Sequence, residues 1–156
     1  MIDYVVYYNY YPAGQRSDGV LTAVLTAVVT KPDGWGVSFL SIPMSIHSKE
    51  TLEIDIASTI VEHCPPGNLL IFSTNELLVK GITGLPEWKK KRWRERDSAP
   101  IEHAEAWKAL DRALKRRSGT VQWHWIHGLY EQDIQEEAEL YASESAKVFA
   151  NICLIA

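Results

Sequence analysis

The chain has 156 residues, 46% of them hydrophobic and 23% charged, with a formal net charge of −4. That length fits one domain, residues 1–156, with a core large enough to need no disulfide or metal staple. The acidic balance excludes a general polyanion binder, so any affinity for nucleic acid must come from local charge. Cys64 and Cys153 lie far apart and in no metal-ligand or CxxC spacing. They read as small apolar groups in a reducing compartment. The start, MIDYVVYYNYY, lacks a basic segment and a small-residue cleavage site, and no apolar stretch approaches the roughly 18 residues of a membrane span. A cytoplasmic protein without membrane contact is the expectation.

In chain order, Asp3 to Tyr11 is rich in Tyr and Val and reads as a strand bounded by Pro12-Ala13-Gly14. Val20 to Thr30 is β-branched, Lys31-Pro32-Asp33-Gly34 is a turn, and Trp35 to Ile42 returns as a strand. Residues 3 to 44 thus predict an antiparallel meander. Ser48-Lys49-Glu50-Thr51 opens a helix whose apolar stripe is Leu52, Ile56, Ile60 and Val61, and Pro65-Pro66-Gly67 stops it. Leu69 to Thr74 is a fourth strand.

A short helix is expected over Glu76 to Ile82, ending near Gly84 and Pro86. Trp88 to Arg96 (WKKKRWRER) follows as a basic helix, and Pro100 breaks it. Glu102 to Arg116 carries the stripe Ala104, Trp107, Leu110 and Leu114, with Lys115, Arg116 and Arg117 at the negative end of its dipole and Gly119 as its stop. Thr120 to Ile126 alternates as a strand, and Ile134 to about Asn151 is a last helix. A strand–helix–strand unit after a meander predicts an α/β fold: a five-stranded mixed sheet with helices on both faces.

One position stands out. Asn75 sits where the chain leaves the apolar run Leu69 to Phe72, and it carries an amide where a carboxylate would suit metal chemistry. The stretch around it, STNELLVKGITGLPEWKKKRW, resembles ribonuclease H of type 1, with its TDS turn, Gly-Ile-Thr helix, and basic run between two tryptophans. Pro100, Trp107, the strand VQWHWIHG at 121–128 and the helix start QEEAELYA at 135–142 fall in the order that family has.

The resemblance implies four carboxylates holding two Mg²⁺ ions, which clamp the attacking water and the leaving oxygen of one phosphodiester. Carried over position by position, the four fall at Asn9 (or Tyr8, if the first strand slips by one), Glu53, Asn75 and Glu139. Two acids, Glu53 and Glu139, remain as metal ligands at most. An asparagine offers one neutral oxygen and a competing NH₂ donor. The loop histidine position holds Leu129, and His127 comes two residues before it. The resemblance therefore implies a degenerate centre with no cofactor, or Mg²⁺ or Mn²⁺ if residual activity survives. Asp3 and Asp55 are spare acids.

The same resemblance makes the segment about 86–100 a protrusion that contacts the DNA strand of a hybrid. Trp88, Lys89, Lys90, Lys91, Arg92, Trp93 and Arg94 are the candidate nucleic-acid contacts, with His103 at a position where the family has a polar phosphate contact. Aromatic faces beside cations suit sugar and phosphate. The leading expectation is a module that binds an RNA–DNA hybrid or another duplex without efficient cleavage. The alternatives are a protein-interaction domain using Tyr4, Tyr7, Tyr8, Tyr10 and Tyr11 as a contact surface or strand edge, and a weak divalent-metal hybrid ribonuclease using Glu53, Glu139 and a substitute acid.

Overall fold

The structure is a computed structural model that describes residues 1–33 and 36–126. Three strands form the meander: β1 (Tyr4–Gln15), β2 (Leu21–Thr30) and β3 (Ser38–Ile46). Helix α1 (Leu52–His63), strand β4 (Leu69–Ser73), helices α2 (Glu76–Lys90) and α3 (Ala104–Arg116), and strand β5 (Val121–Trp125) follow. The sheet order is β3-β2-β1-β4-β5, with β1 antiparallel to β2 and parallel to β4. The mixed five-stranded sheet is the expected one. The last helix and the strand-to-helix loop, with His127, Leu129 and Glu139, lie outside the described residues.

Two strands differ from the expected spans, both at a proline. β1 runs past Pro12 to Gln15, with a register shift between Pro12 and Gly14. β4 pairs β1 only from Tyr4 to Tyr7, so this upper half of β1 is bonded on the β2 side alone. β3 begins at Ser38 instead of Trp35 and continues through Pro43. A proline is tolerated there because, among the described residues, β3 is an edge strand with no outer neighbour to receive its missing N–H.

The core lies between one face of the sheet and the helices. Val6 and Tyr8 of β1, Leu25, Ala27 and Val29 of β2, and Leu69 and Ile71 of β4 meet Ile56 and Ile60 of α1 and Leu110 of α3. Each fully buried Leu or Ile contributes about 1.5–3 kcal/mol. Val24, Thr26 and Val28, on the opposite face of β2, are also buried. The Cys64 thiol sits in this apolar setting, pushed up to about 11 by burial with Arg117 opposing, which fits its expected inert role.

α2 overturns the expected stop near Gly84. It is one helix of 15 residues that passes through Pro86. The proline costs a backbone bond, but the stripe Leu78, Leu85 and Trp88 keeps packing on the core, with the Trp88 ring set edge-on to Trp107 at 5.3 Å. The absence of a side chain at Gly81 is what allows this fit: a Cβ there would collide with the Trp107 ring.

Arg117 also departs from its expected role at the α3 dipole. Its guanidinium donates to the carbonyls of Val61 and Cys64 (both 3.1 Å), Pro65, and Gly67 (3.0 Å), closing the C-terminus of α1. Gly119, at φ +114°, lets that loop approach, since a Cβ there would run into the Gly67 carbonyl. Among the described residues no helix is long and apolar enough to cross a membrane.

Candidate catalytic pocket and basic turn

The parallel register of β1 and β4 ends with Tyr7 beside Phe72, which carries Tyr8 to the level of Ser73. The two side chains meet: Tyr8 Oη lies 2.8 Å from Ser73 Oγ, and both residues are buried. Burial pushes the Tyr8 phenol well above its ordinary pKa, with a smaller upward push from the Glu53 charge and a partial offset from the Ser73 bond. The group is a neutral phenol at any physiological pH.

Ser73 Oγ also accepts from the Asn75 N–H at 3.1 Å, and Asn75 Oδ1 accepts from the Leu78 N–H at 2.9 Å. Asn75 is the N-cap of α2. Its amide oxygen therefore satisfies an orphan helix donor, a job that an asparagine does as well as an aspartate. Glu53, in the first turn of α1, is partly buried, and burial pushes its carboxyl above the ordinary carboxylate range.

The first-strand position that sequence left open is decided by alternation. Tyr8 faces Ser73 and feels Glu53, so Asn9 lies on the other face of the strand. The Asn9 oxygen accepts from the neighbouring Tyr10 N–H at 2.8 Å. Asn9 is thus not brought together with Glu53 and Asn75, and Tyr8 is. Of the spare acids, Asp3 accepts from Asn68 N–H at the far end of the β1–β4 pair, about 16 Å from Tyr8 along the strand. Asp55 accepts from Thr51 Oγ1 at 3.0 Å. Among the described residues no three His, Cys, Asp or Glu side chains gather as a metal-holding group.

The basic segment is a helix end followed by a turn, and not the continuous basic helix expected. Lys89 and Lys90 close α2; Lys91, Arg92 and Trp93 form the turn. Trp88 and Trp93 are partly buried against the core, each keeping part of its surface exposed. Lys89 is 3.8 Å from Asp111, which also takes Lys115 at 3.2 Å, and Lys90 is 3.7 Å from Glu87. Arg94 Nη1 donates to the Ser98 carbonyl at 3.2 Å. Lys91, Arg92 and Arg96 are exposed. His103 is the N-cap of α3 with a left-handed backbone, its ring 3.4 Å from a Glu102 oxygen. The turn lies about 22 Å from Asn75, the length of α2.

A ribonuclease H from Nitrobacter hamburgensis is 31% identical over 123 residues, which cover 72% of this chain and 80% of that protein. The chain belongs to the ribonuclease H family. Many of the curated ribonuclease H relatives match over a shorter stretch: the chain spans about half the length of those, 51% in the case of Proteus mirabilis. No family model matches. Among solved structures, the PFV RNase H domain superposes with a TM-score of 0.65 at 19% identity, covering 94% of this chain and 95% of that one. A foamy viral protease-reverse transcriptase in complex with RNA/DNA hybrid gives 0.61 at 16% identity, covering 93% of this chain and 20% of that one. Both likenesses carry the fold.

The pair of divalent ions that the sequence resemblance implies sets a demand on this pocket. Two hard dications need several anionic oxygens. The described residues offer one carboxylate, Glu53, together with a protonated phenol and an amide whose oxygen is committed to a helix cap. Among the described residues this donor set falls short of what a metal pair needs, Glu139 lying outside them. What sequence reasoning missed is the role of Tyr8, which it named as a register alternative and as one of five contact-surface tyrosines; the signal available was Ser73, a polar residue ending an otherwise apolar strand.

Proposed function

We propose that this chain is a ribonuclease H domain that holds an RNA–DNA hybrid or a related duplex through its basic turn and does not cleave it efficiently. The observation that carries the reading is Tyr8: a neutral, buried phenol stands beside Glu53 and Ser73, where a metal centre would need charge. Asn75 strengthens it, since its oxygen is used within α2. Retention of the exposed cations Lys91, Arg92 and Arg96 beyond the end of α2 supports nucleic acid as the partner, as does the fold's likeness to a polymerase bound to RNA/DNA hybrid. A cytoplasmic setting belongs to the same reading.

Lys91, Arg92, Arg94 and Arg96 set the expected strength. If all of them meet phosphates, affinity falls about 150-fold between roughly 50 and 200 mM salt. A hybrid-binding titration over that range tests this, with Lys91→Ala and Arg92→Ala combined. A flat salt response, or affinity unchanged by the double substitution, contradicts the reading.

A protein-interaction role has support from a different surface than the sequence indicated. β1 is bonded on both sides from Tyr4 to Tyr7 and Tyr8 is buried, so Tyr4, Tyr7 and Tyr8 form no sheet edge. The exposed apolar residues Val37 and Phe39 lie at the β3 edge instead. A stable complex with a protein, lost on Phe39→Ser and accompanied by no hybrid affinity, would favour that role.

A further inference from the structure

β1 outruns its neighbour. The parallel ladder to β4 ends at Tyr7, and the rest of β1 is bonded, among the described residues, on the β2 side alone. A strand left unpaired on one side offers its backbone groups in a row, which is a template for a strand of another chain. β1 carries no charged residue from Tyr4 to Gln15, so two copies could meet there without repulsion. The open half begins at Tyr8, and a strand added to it would lie beside the pocket.

Alternation decides which groups face the open side. The Tyr4 N–H bonds the Asn68 carbonyl, just ahead of β4. Even-numbered positions of β1 therefore turn their N–H groups towards β4, and odd-numbered ones towards β2. Past the ladder and Tyr8, the even positions before the register shift are Tyr10 and Pro12. The Tyr10 N–H donates to Asn9 Oδ1 at 2.8 Å, a side chain one residue back in the chain. Pro12 has no N–H to offer. Both donors that an incoming strand would use are gone, one to an amide and one to a ring, and the register shift follows at once.

The other edge of the meander repeats half of this. Pro43 of β3 pairs with Val24, whose partner on β1 is Tyr11. At this level of the sheet both outer strands thus carry a proline. Asn and Pro are poor strand formers, yet both interrupt a run of Tyr and Val in β1.

We infer that Asn9 and Pro12 guard the open half of β1, keeping a second copy of this chain from adding its own strand there and covering the approach to Tyr8. This gives Asn9, which the pocket does not use, a task of its own, and it stands apart from the nucleic-acid reading.

The test measures reversible self-association by sedimentation velocity over a range of protein concentrations, together with amide hydrogen exchange at Tyr10. It compares the wild type, Asn9→Asp, Asn9→Ala, and Asn9→Val combined with Pro12→Val. Asn9→Asp keeps an acceptor and should match the wild type in both measurements. Asn9→Ala frees the Tyr10 N–H, which should exchange about 3- to 10-fold faster in the monomer. The combined variant restores both donors and is expected to associate at concentrations at least about 10-fold lower than the wild type, with its Tyr10 amide slowing as it does so. Tyr10 exchange that is the same in Asn9→Ala and the wild type overturns the inference, whether or not the combined variant folds. A folded combined variant that associates no more readily than the wild type overturns it as well. So does a wild type already paired through this edge, which would show as Tyr10 exchange that slows with rising concentration.

Discussion

The Tyr8 and Ser73 hydroxyls meet at 2.8 Å, 65 residues apart in sequence, in a part of the interior that solvent does not reach. The bond joins β1 to β4 where their parallel ladder ends, and Ser73 passes it on to the N-terminus of α2 through Asn75. A neutral chain of hydrogen bonds thus fastens the elements that frame the pocket.

The two ends of that bond are unequal. Tyr8→Phe leaves Ser73 Oγ with the Asn75 N–H, so the loss is about 0.5–1.5 kcal/mol. Ser73→Ala removes both the Tyr8 bond and the Asn75 contact, at a cost of about 1–3 kcal/mol. Urea unfolding of the two variants reads the difference; a Tyr8→Phe protein less stable than Ser73→Ala would contradict this arrangement.

Glu53 makes the fold pH-sensitive in a definite direction. Burial raises its carboxyl in the folded chain above the ordinary value of 4.5. Between that value and the raised one the folded state binds the extra proton, so this group's contribution to stability falls as pH rises and is lost above the folded pKa. Glu53→Gln should therefore be more stable than the wild type at pH 7 and equal to it near pH 3.5. Asp55 is raised in the same sense and is common to both proteins, so the difference between them isolates Glu53. A Glu53→Gln protein that is less stable at pH 7 would show an unrecognised charged partner.

Asn75 serves α2 through one oxygen, and that predicts how it responds to change. Asn75→Asp keeps the cap and adds a charge at the positive end of the helix, worth about 0.3–1 kcal/mol less any repulsion from Glu76. Asn75→Ala loses the cap and about 1 kcal/mol. Thermal unfolding separates the two, and Asn75→Asp alone should not bring hybrid cleavage, because Tyr8 still fills the pocket.

Gly81 sets two effects against each other. Helix propensity favours alanine there by about 0.8–1 kcal/mol. The added Cβ collides with Trp107, which is buried and wedged against Trp88, so overpacking of about 1–3 kcal/mol opposes it. Gly81→Ala is expected to destabilise; a stabilised variant would mean that the ring yields freely.

How far the sequence reached depended on the range of the signal. The meander, α1, β4 and α3 were legible because each carries a local period or a Gly/Pro stop, such as Pro65-Pro66-Gly67 after α1. Pro86 and Pro43 misled, since a stripe on the core in one case and an edge position in the other outweigh a local breaker. Glu53 and Asn75 were placed from ordered matches along the chain. The choice between Tyr8 and Asn9 needed the β1–β4 register, a contact across more than sixty residues that no local pattern encodes. Arg117 was assigned to the nearest helix end and instead serves one more than fifty residues away.

The most direct test of the central claim follows one labelled RNA–DNA hybrid in both binding and cleavage, with Mg²⁺ and then Mn²⁺ titrated in. The expected result is salt-sensitive binding with intact RNA at every metal concentration. Metal-dependent cleavage that disappears in Glu53→Gln would contradict the account, because it would require the pocket around Tyr8 to hold working metal ions.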